Sequence, residues 1–290
     1  MNLVTFVPVI VVLLMIIVGT EISRAQLVAS MRMPRALVGA ALAQWLLLPL
    51  LAVIVIWLLR PPPALAGGLL LLATSPNGSL SNYYCSVARL NVAFSVTLTT
   101  ISGFVALAAM PLLLAVTMPV ALGVEAYRVP LGELTLRLVL SLLLPVAAGM
   151  GLRHFFPDAV ERNGKAIRAF GLWLLALFLV LVFFDQRHAI VEIFAETVLL
   201  TVTFTALALA AGWYSGRVLR LNPADRAVLA IEFAVRNVGI AALLALTTFQ
   251  QPEFAAFGAL FVLLQAPVLI LALLLNARLR EQPPTGTRAD

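Results

Sequence analysis

The sequence predicts an all-α polytopic membrane protein of nine transmembrane helices, arranged as an inverted repeat with one broken helix in each half. Three observations carry that expectation. Of the 290 residues, 62% are hydrophobic and 11% are charged, against roughly 25% charged in soluble domains. The apolar residues fall into runs close to the roughly 20 residues that cross about 30 Å of hydrocarbon. Two of those runs are interrupted by polar and helix-breaking residues, within Thr74–Thr99 and Ile231–Ile240.

The spans are placed at 3–19, 34–58, 64–90 (broken), 91–117, 129–151, 168–185, 193–215, 224–247 (broken) and 254–277. The first, Leu3 to Val18, has no basic segment before it and is followed at once by a short basic loop and another span. It therefore reads as a retained helix rather than a signal peptide. The second carries Gln44, five residues before Pro49. The third runs apolar from Ala64 to Ala73, breaks at Pro76, Asn77 and Gly78, and resumes with Ser81 and Asn82. The fourth follows at Arg89–Asn91 almost without a loop and carries Ser95 and Thr99, which share a helical face. Pro111 and Pro145 fall inside spans and predict kinks.

The fifth span is unpaired in the repeat; spans one to four match six to nine by length order and by the place of the break. Its Glu133 and Arg137, four residues apart near an interface, suit a structural pair. His154 and His188 are expected in solvated loops, and the tail from 278 to 290 is expected to be polar and disordered. Trp45, Trp57, Trp173 and Trp213 are read as interfacial anchors in part.

Positive charge sets the direction, because short loops rich in Lys and Arg stay cytoplasmic. With the N-terminus outside, the inner loops and tail collect Arg24, Arg32, Arg35, Arg89, Arg153, Arg162, Lys165, Arg168, Arg217, Arg220, Arg226, Arg278, Arg280 and Arg288. The outer loops hold Arg60, Arg128 and Arg187. Fourteen against three places the C-terminus in the cytoplasm of a cell that carries the chain in its inner membrane. The formal charge of +6 thus reflects topology rather than a nucleic-acid partner, for no basic run or stacking-aromatic motif is present. A single cysteine, Cys85, excludes an internal disulfide. Asn77-Gly78-Ser79 matches a glycosylation sequon but lies at membrane depth. No catalytic triad, HExxH or phosphate loop points to an enzyme, and no cofactor is implied.

In lipid, a broken helix survives only where the freed backbone is enclosed by protein or lines a cavity, so both breaks are candidate binding sites. Ser81, Asn82, Ser95 and Thr99 either form, with one carboxylate, an oxygen cage for a small hard cation or bond neighbouring helices and their own backbone. Within the second interruption lies Glu232, a carboxylate whose burial within a span costs roughly 2.5–3.5 kcal/mol and calls for a partner or a pathway. Arg236, one turn on, is the expected i, i+4 partner.

These segments resemble the bile acid:sodium symporters and their bacterial relatives. Ser75-Pro-Asn-Gly-Ser-Leu-Ser-Asn82 resembles that family's first break. Ala88-Arg-Leu-Asn-Val-Ala-Phe-Ser-Val96 resembles the segment that follows it, Gln44 with Pro49 its Gln-to-Pro spacing, and Glu232 to Gly239 its second broken helix. The resemblance implies crossing broken helices in a core domain (34–117 and 193–277, helices 2–4 and 7–9), beside a panel domain (1–33 and 118–192, helices 1, 5 and 6).

It further implies a first sodium site at Ser81, Asn82, Ser95, Thr99 and Glu232, and a second at Gln44, Glu232 and the position of Arg236. There the chain departs from the family, with arginine in place of a neutral glutamine. The implied function is a secondary transporter of an organic anion that works by alternating access with one sodium, Arg236 replacing the second. Asn77, Ser79, Arg236 and Asn237 are the implied substrate contacts. The alternative is a sodium-independent exporter of the same fold, proton-linked or uncoupled. Nothing in these residues selects one anion, a direction of transport or an oligomeric state.

Overall fold

The computed structural model describes residues 3–22, 34–122 and 129–281. Its elements, in order, are α1 (Leu3–Glu21), α2 (Pro34–Leu59), α3 (Pro63–Thr74), α4 (Leu80–Val87), α5 (Val92–Leu122) and α6 (Leu131–Leu138). A π-turn (Val139–Leu143) leads into α7 (Leu144–Phe155), followed by α8 (Pro157–Arg162), α9 (Gly164–Asp185), α10 (Arg187–Val218), α11 (Pro223–Ala234), α12 (Val238–Thr247) and α13 (Pro252–Glu281). Six helical stretches are long and apolar enough to cross a membrane, and three shorter apolar ones accompany them. The protein is a multi-pass membrane protein. Arg24, Arg32, Arg128, Arg288 and most of the expected tail lie outside the described residues.

The long helices expose large apolar side chains, such as Leu46, Val116, Leu140 and Tyr214, on their outer faces. The enclosed centre lies elsewhere. Residues 65–78 and 227–246 are buried without interruption, so the two broken segments themselves form the middle of the protein. Lipid gives packed helices no hydrophobic drive, so close backbone approach through small residues matters more. Gly149 illustrates this, since a Cβ there would stand 2.0 Å from the carbonyl oxygen of Ile16. That contact seats α7 directly on α1.

Each break has a local cause. Pro76 has no N–H to continue a helix, and α3 ends two residues earlier, at Thr74, with Ser75 extended. Thr74 Oγ1 and Ser75 Oγ donate back to the carbonyls of Leu70 (2.7 Å) and Leu72 (2.8 Å). On the other side α11 ends at Ala234 and Val235 is extended. The freed backbone groups then satisfy one another: Asn77 and Arg236 form an antiparallel bridge. In it Asn237 N donates to Pro76 O (2.9 Å) and Gly78 N to Val235 O (3.2 Å). Gly78 permits the approach, because a Cβ would lie 2.7 Å from Arg236 O.

Matching punctuation brackets the two broken segments. Among the described residues, the non-glycine ones with left-handed φ are Arg60 (48°), Arg89 (53°), Arg220 (56°) and Gln250 (54°). Arg60 and Arg220 each stand three residues before the helix that leads into a break; Arg89 and Gln250 stand just after the helix that leads out. A polar clasp ties the starts of α5 and α11: Asn91 Nδ2 donates to Asp225 Oδ1 (2.9 Å), and Asn222 caps α11 by accepting from Asp225 N (2.9 Å).

Several boundaries differ from the sequence reading. His154 is helical because α7 runs on to Phe155, and His188 lies in the first turn of α10 because α9 and α10 are joined by Gln186 alone and the loop placed there does not exist. Lys165 and Arg168, assigned to a loop or span edge, sit in the first turns of α9. Immediately before Pro145 the helix widens into the π-turn, where Leu144 N donates to Val139 O five residues back. Glu133 and Arg137 do pair, at 2.8 Å, on an exposed face.

Candidate ion site and adjoining cavity

Glu232, on the last turns of α11, is fully buried. Its carboxylate accepts from Ser95 Oγ and from Asn77 Nδ2, and from Thr99 Oγ1 at 3.2 Å. Ser95 Oγ also reaches Asn82 Oδ1 at 2.8 Å, and Thr99 Oγ1 reaches the same oxygen at 3.5 Å. Ser81 Oγ lies 3.5 Å from Thr99 Oγ1 and donates to Gly78 O. The five residues assigned to an oxygen cage, drawn from α4, α5 and α11, therefore converge on one point. One carboxylate among neutral oxygens is a donor set suited to a hard cation.

Arg236 does not behave as the sequence suggested. The i, i+4 pairing needs helix through both residues, but α11 stops at Ala234, and Glu232 and Arg236 make no direct ion pair. The guanidinium instead donates to Ser75 O and to Asn77 Oδ1 (2.6 Å), with Leu72 O at 3.5 Å. It also lies 6.0 Å from the centre of the Trp45 ring, a cation–π contact. Trp45 is accordingly no interfacial anchor: it is 5% exposed, whereas Trp57 is 71% exposed.

Asn77 joins the two charges. Its Nδ2 donates to Glu232 and, at 3.4 Å, to Gln44 Oε1. Its Oδ1 accepts from Arg236 and from Ser102 Oγ (3.1 Å), and its backbone N donates to Ser102 Oγ (3.1 Å). An amide has two donors and two lone pairs, so every valence of this side chain is engaged within the protein. Gln44 stands at the second cation position that the resemblance implied, with Nε2 unpartnered among the described residues.

Beside the bridge lies a cavity of about 310 Å³. Ser79, Arg236 and Asn237 line it, as the sequence reading implied, whereas Asn77 does not. The same cavity is lined by Lys165 and Arg168 from α9, and by Tyr83. Sequence reasoning missed Ser102, although its spacing from Ser95 and Thr99 continues their helical face. It also missed Glu21, at the end of α1, whose Oε2 accepts from Asn82 Nδ2 at 3.5 Å. Glu21 was visible as an acid closing an apolar run.

Comparison with known proteins adds the lineage. The profile of the family described as the Sodium Bile acid symporter family matches residues 8–193. A probable sodium/metabolite cotransporter of the chloroplast, BASS1 of Arabidopsis thaliana, is 28% identical over 234 residues, covering 81% of this chain and 57% of that protein. An uncharacterized sodium-dependent transporter of Bacillus subtilis, YocS, is 24% identical, covering 79% of this chain and 70% of its own. The hepatic sodium/bile acid cotransporter of the rat is 25% identical, with 94% and 76% covered. The chain thus spans little more than half of the plant relative's length.

Proposed function

Because the chain belongs to the sodium bile acid symporter family, a family of transporters rather than enzymes, we propose that it moves a small organic anion across the cell membrane by alternating access, coupled to one sodium ion. The observation that carries this reading is the convergence of Ser81, Asn82, Ser95, Thr99 and the buried Glu232 on one point, with the Arg236 guanidinium fixed beside it. The names of the relatives, sodium-dependent transporters and cotransporters, support sodium as the coupling ion.

Charge balance gives the mechanism its shape. Glu232 and Arg236 together are neutral. A sodium ion entering the cage makes the site positive, and an anion in the adjoining cavity restores neutrality, so each favours the other's binding. Arg236 occupies the Ser75 and Leu72 carbonyls and the Asn77 amide oxygen, and its charge opposes a second sodium near Gln44. In this reading the substrate meets Ser79, Asn237 and the starts of α4 and α12, whose dipoles favour an anion. Asn77 acts by positioning Glu232 and Arg236.

The nine spans, the core and panel domains at the boundaries given above, and an outside N-terminus with a cytoplasmic C-terminus belong to the same proposal. α1, which packs on α7 and α12, would form part of the moving panel. One observation favours the sodium-independent alternative: Arg236 already supplies a fixed cation at the anion's cavity.

The test is thermal stability of the purified protein in sodium against potassium, for wild type and Glu232→Ala. A ligand that binds only the folded state raises stability by mass action. A sodium-specific rise abolished by Glu232→Ala is expected. No rise in wild type would overturn sodium coupling and select the alternative.

A further inference from the structure

We infer that the cavity takes a compact organic dianion, held at both ends, rather than a singly charged acid. This rests on the transport reading above and names the class of substrate. One part of the cavity lining comes from the two helix starts. The backbone N–H groups of Ser79, Leu80, Val238 and Gly239 make no hydrogen bond to another described residue, and all four residues line the cavity. Beside them Asn237 caps α12 through Oδ1, accepting from Ile240 N at 3.1 Å. Arg236 adds positive charge there, although its donors are taken by Ser75, Asn77 and Leu72.

A second anion-attracting group comes from a different helix. Lys165 and Arg168 are three residues apart in the first turns of α9, on one face, and both line the cavity. Among the described residues neither forms an ion pair. Glu21 feels the charge of Arg168 without pairing with it. Apolar side chains, among them Leu14, Met15, Leu172 and Leu175, also line the cavity. The lining thus combines a buried or half-buried, amide-rich group at the helix starts with an exposed cationic pair on α9 and apolar side chains, a composition that matches a short chain with an acid at each end. About 310 Å³ is at the small end of the range for ligand pockets, which favours a compact metabolite.

α9 is panel in the proposed division, and the helix starts belong to the core. A dianion would therefore bridge the two parts that must move, so binding at Lys165 and Arg168 would bear on closure as well as affinity.

The probes are α,ω-dicarboxylates from succinate to suberate, each paired with its monomethyl ester. Binding is read as thermal stabilisation of the full-length purified protein in sodium. At least one diacid should bind about tenfold more tightly than its ester. Lys165→Gln with Arg168→Gln should bring the diacid down to the ester's affinity and leave the ester unchanged. Lys165→Arg with Arg168→Lys, which keeps both charges, should preserve the preference and guards against a folding defect. Equal binding of acid and ester, or a preference that survives the glutamine pair, would overturn the dianion inference and leave the transport reading standing. Binding of neither, with the sodium response intact, would overturn the inference; loss of the sodium response as well would overturn the transport reading with it.

Discussion

Asn77 and Arg236 hold each other twice. Their backbones form the antiparallel bridge at which the two broken segments meet, and the Arg236 guanidinium donates to Asn77 Oδ1 at 2.6 Å. Asn77 then passes its own Nδ2 to Glu232. One amide thus separates and orients the two buried charges of the site, and its loss leaves both short of a partner. Hydrogen bonds to charged groups contribute about 1.5–3 kcal/mol each. Asn77→Ala should therefore lower stability by about 3 kcal/mol and abolish the sodium response, as read by thermal unfolding with and without sodium.

Ser95 and Ser102 separate ion binding from scaffolding. The Ser95 hydroxyl bonds both Glu232 and Asn82, whereas among the described residues the Ser102 hydroxyl bonds Asn77 alone. Ser95→Ala should weaken sodium binding by about tenfold or more, the equivalent of ~1.4 kcal/mol. Ser102→Ala should cost about 1 kcal/mol of stability with a smaller effect on sodium affinity. A sodium titration of both variants distinguishes the two roles.

Gly78 and Gly149 make a second contrast. A methyl group at either meets a carbonyl oxygen of the facing segment, at 2.7 Å from Arg236 O and 2.0 Å from Ile16 O. Overpacking of this kind costs about 1–3 kcal/mol. Both Gly78→Ala and Gly149→Ala should lower the unfolding temperature. Only Gly78→Ala, which pries at the bridge, should also shift the sodium concentration for half-maximal stabilisation.

The Glu133–Arg137 pair should matter little. Its side chains are 49% and 37% exposed, and exposed i, i+4 pairs contribute about 0.3–0.5 kcal/mol. Glu133→Gln should leave transport unchanged, as measured by flux into vesicles.

The convergence of Ser81, Asn82, Ser95, Thr99 and Glu232 was foreshadowed in the sequence, where each is a polar residue that lipid would exclude and Ser95 and Thr99 share a face. The partner of Arg236 was not legible. Spacing suggested Glu232, but that inference assumes unbroken helix, and α11 ends between the two residues. The breaks could be located from Pro76, Asn77 and Gly78, yet their pairing with each other is a long-range contact that local pattern does not encode. Trp45 failed for a related reason: tryptophan fits an interface, and its contact with Arg236 comes from the break between α11 and α12, far away in sequence. Lys165 and Arg168 read as topology signals, and their position on the cavity depends on α9 beginning earlier than its hydrophobicity indicates.

The central claim is that Arg236 stands where a second sodium would bind. Its most direct test is the sodium dependence of anion uptake into vesicles containing wild type or Arg236→Gln, using whichever acid stabilises the protein. Hill slopes cannot exceed the number of sites. The account predicts a slope of about one for wild type and a steeper dependence, approaching about two, for Arg236→Gln. Equal slopes and equal sodium stoichiometry in the two proteins would contradict it.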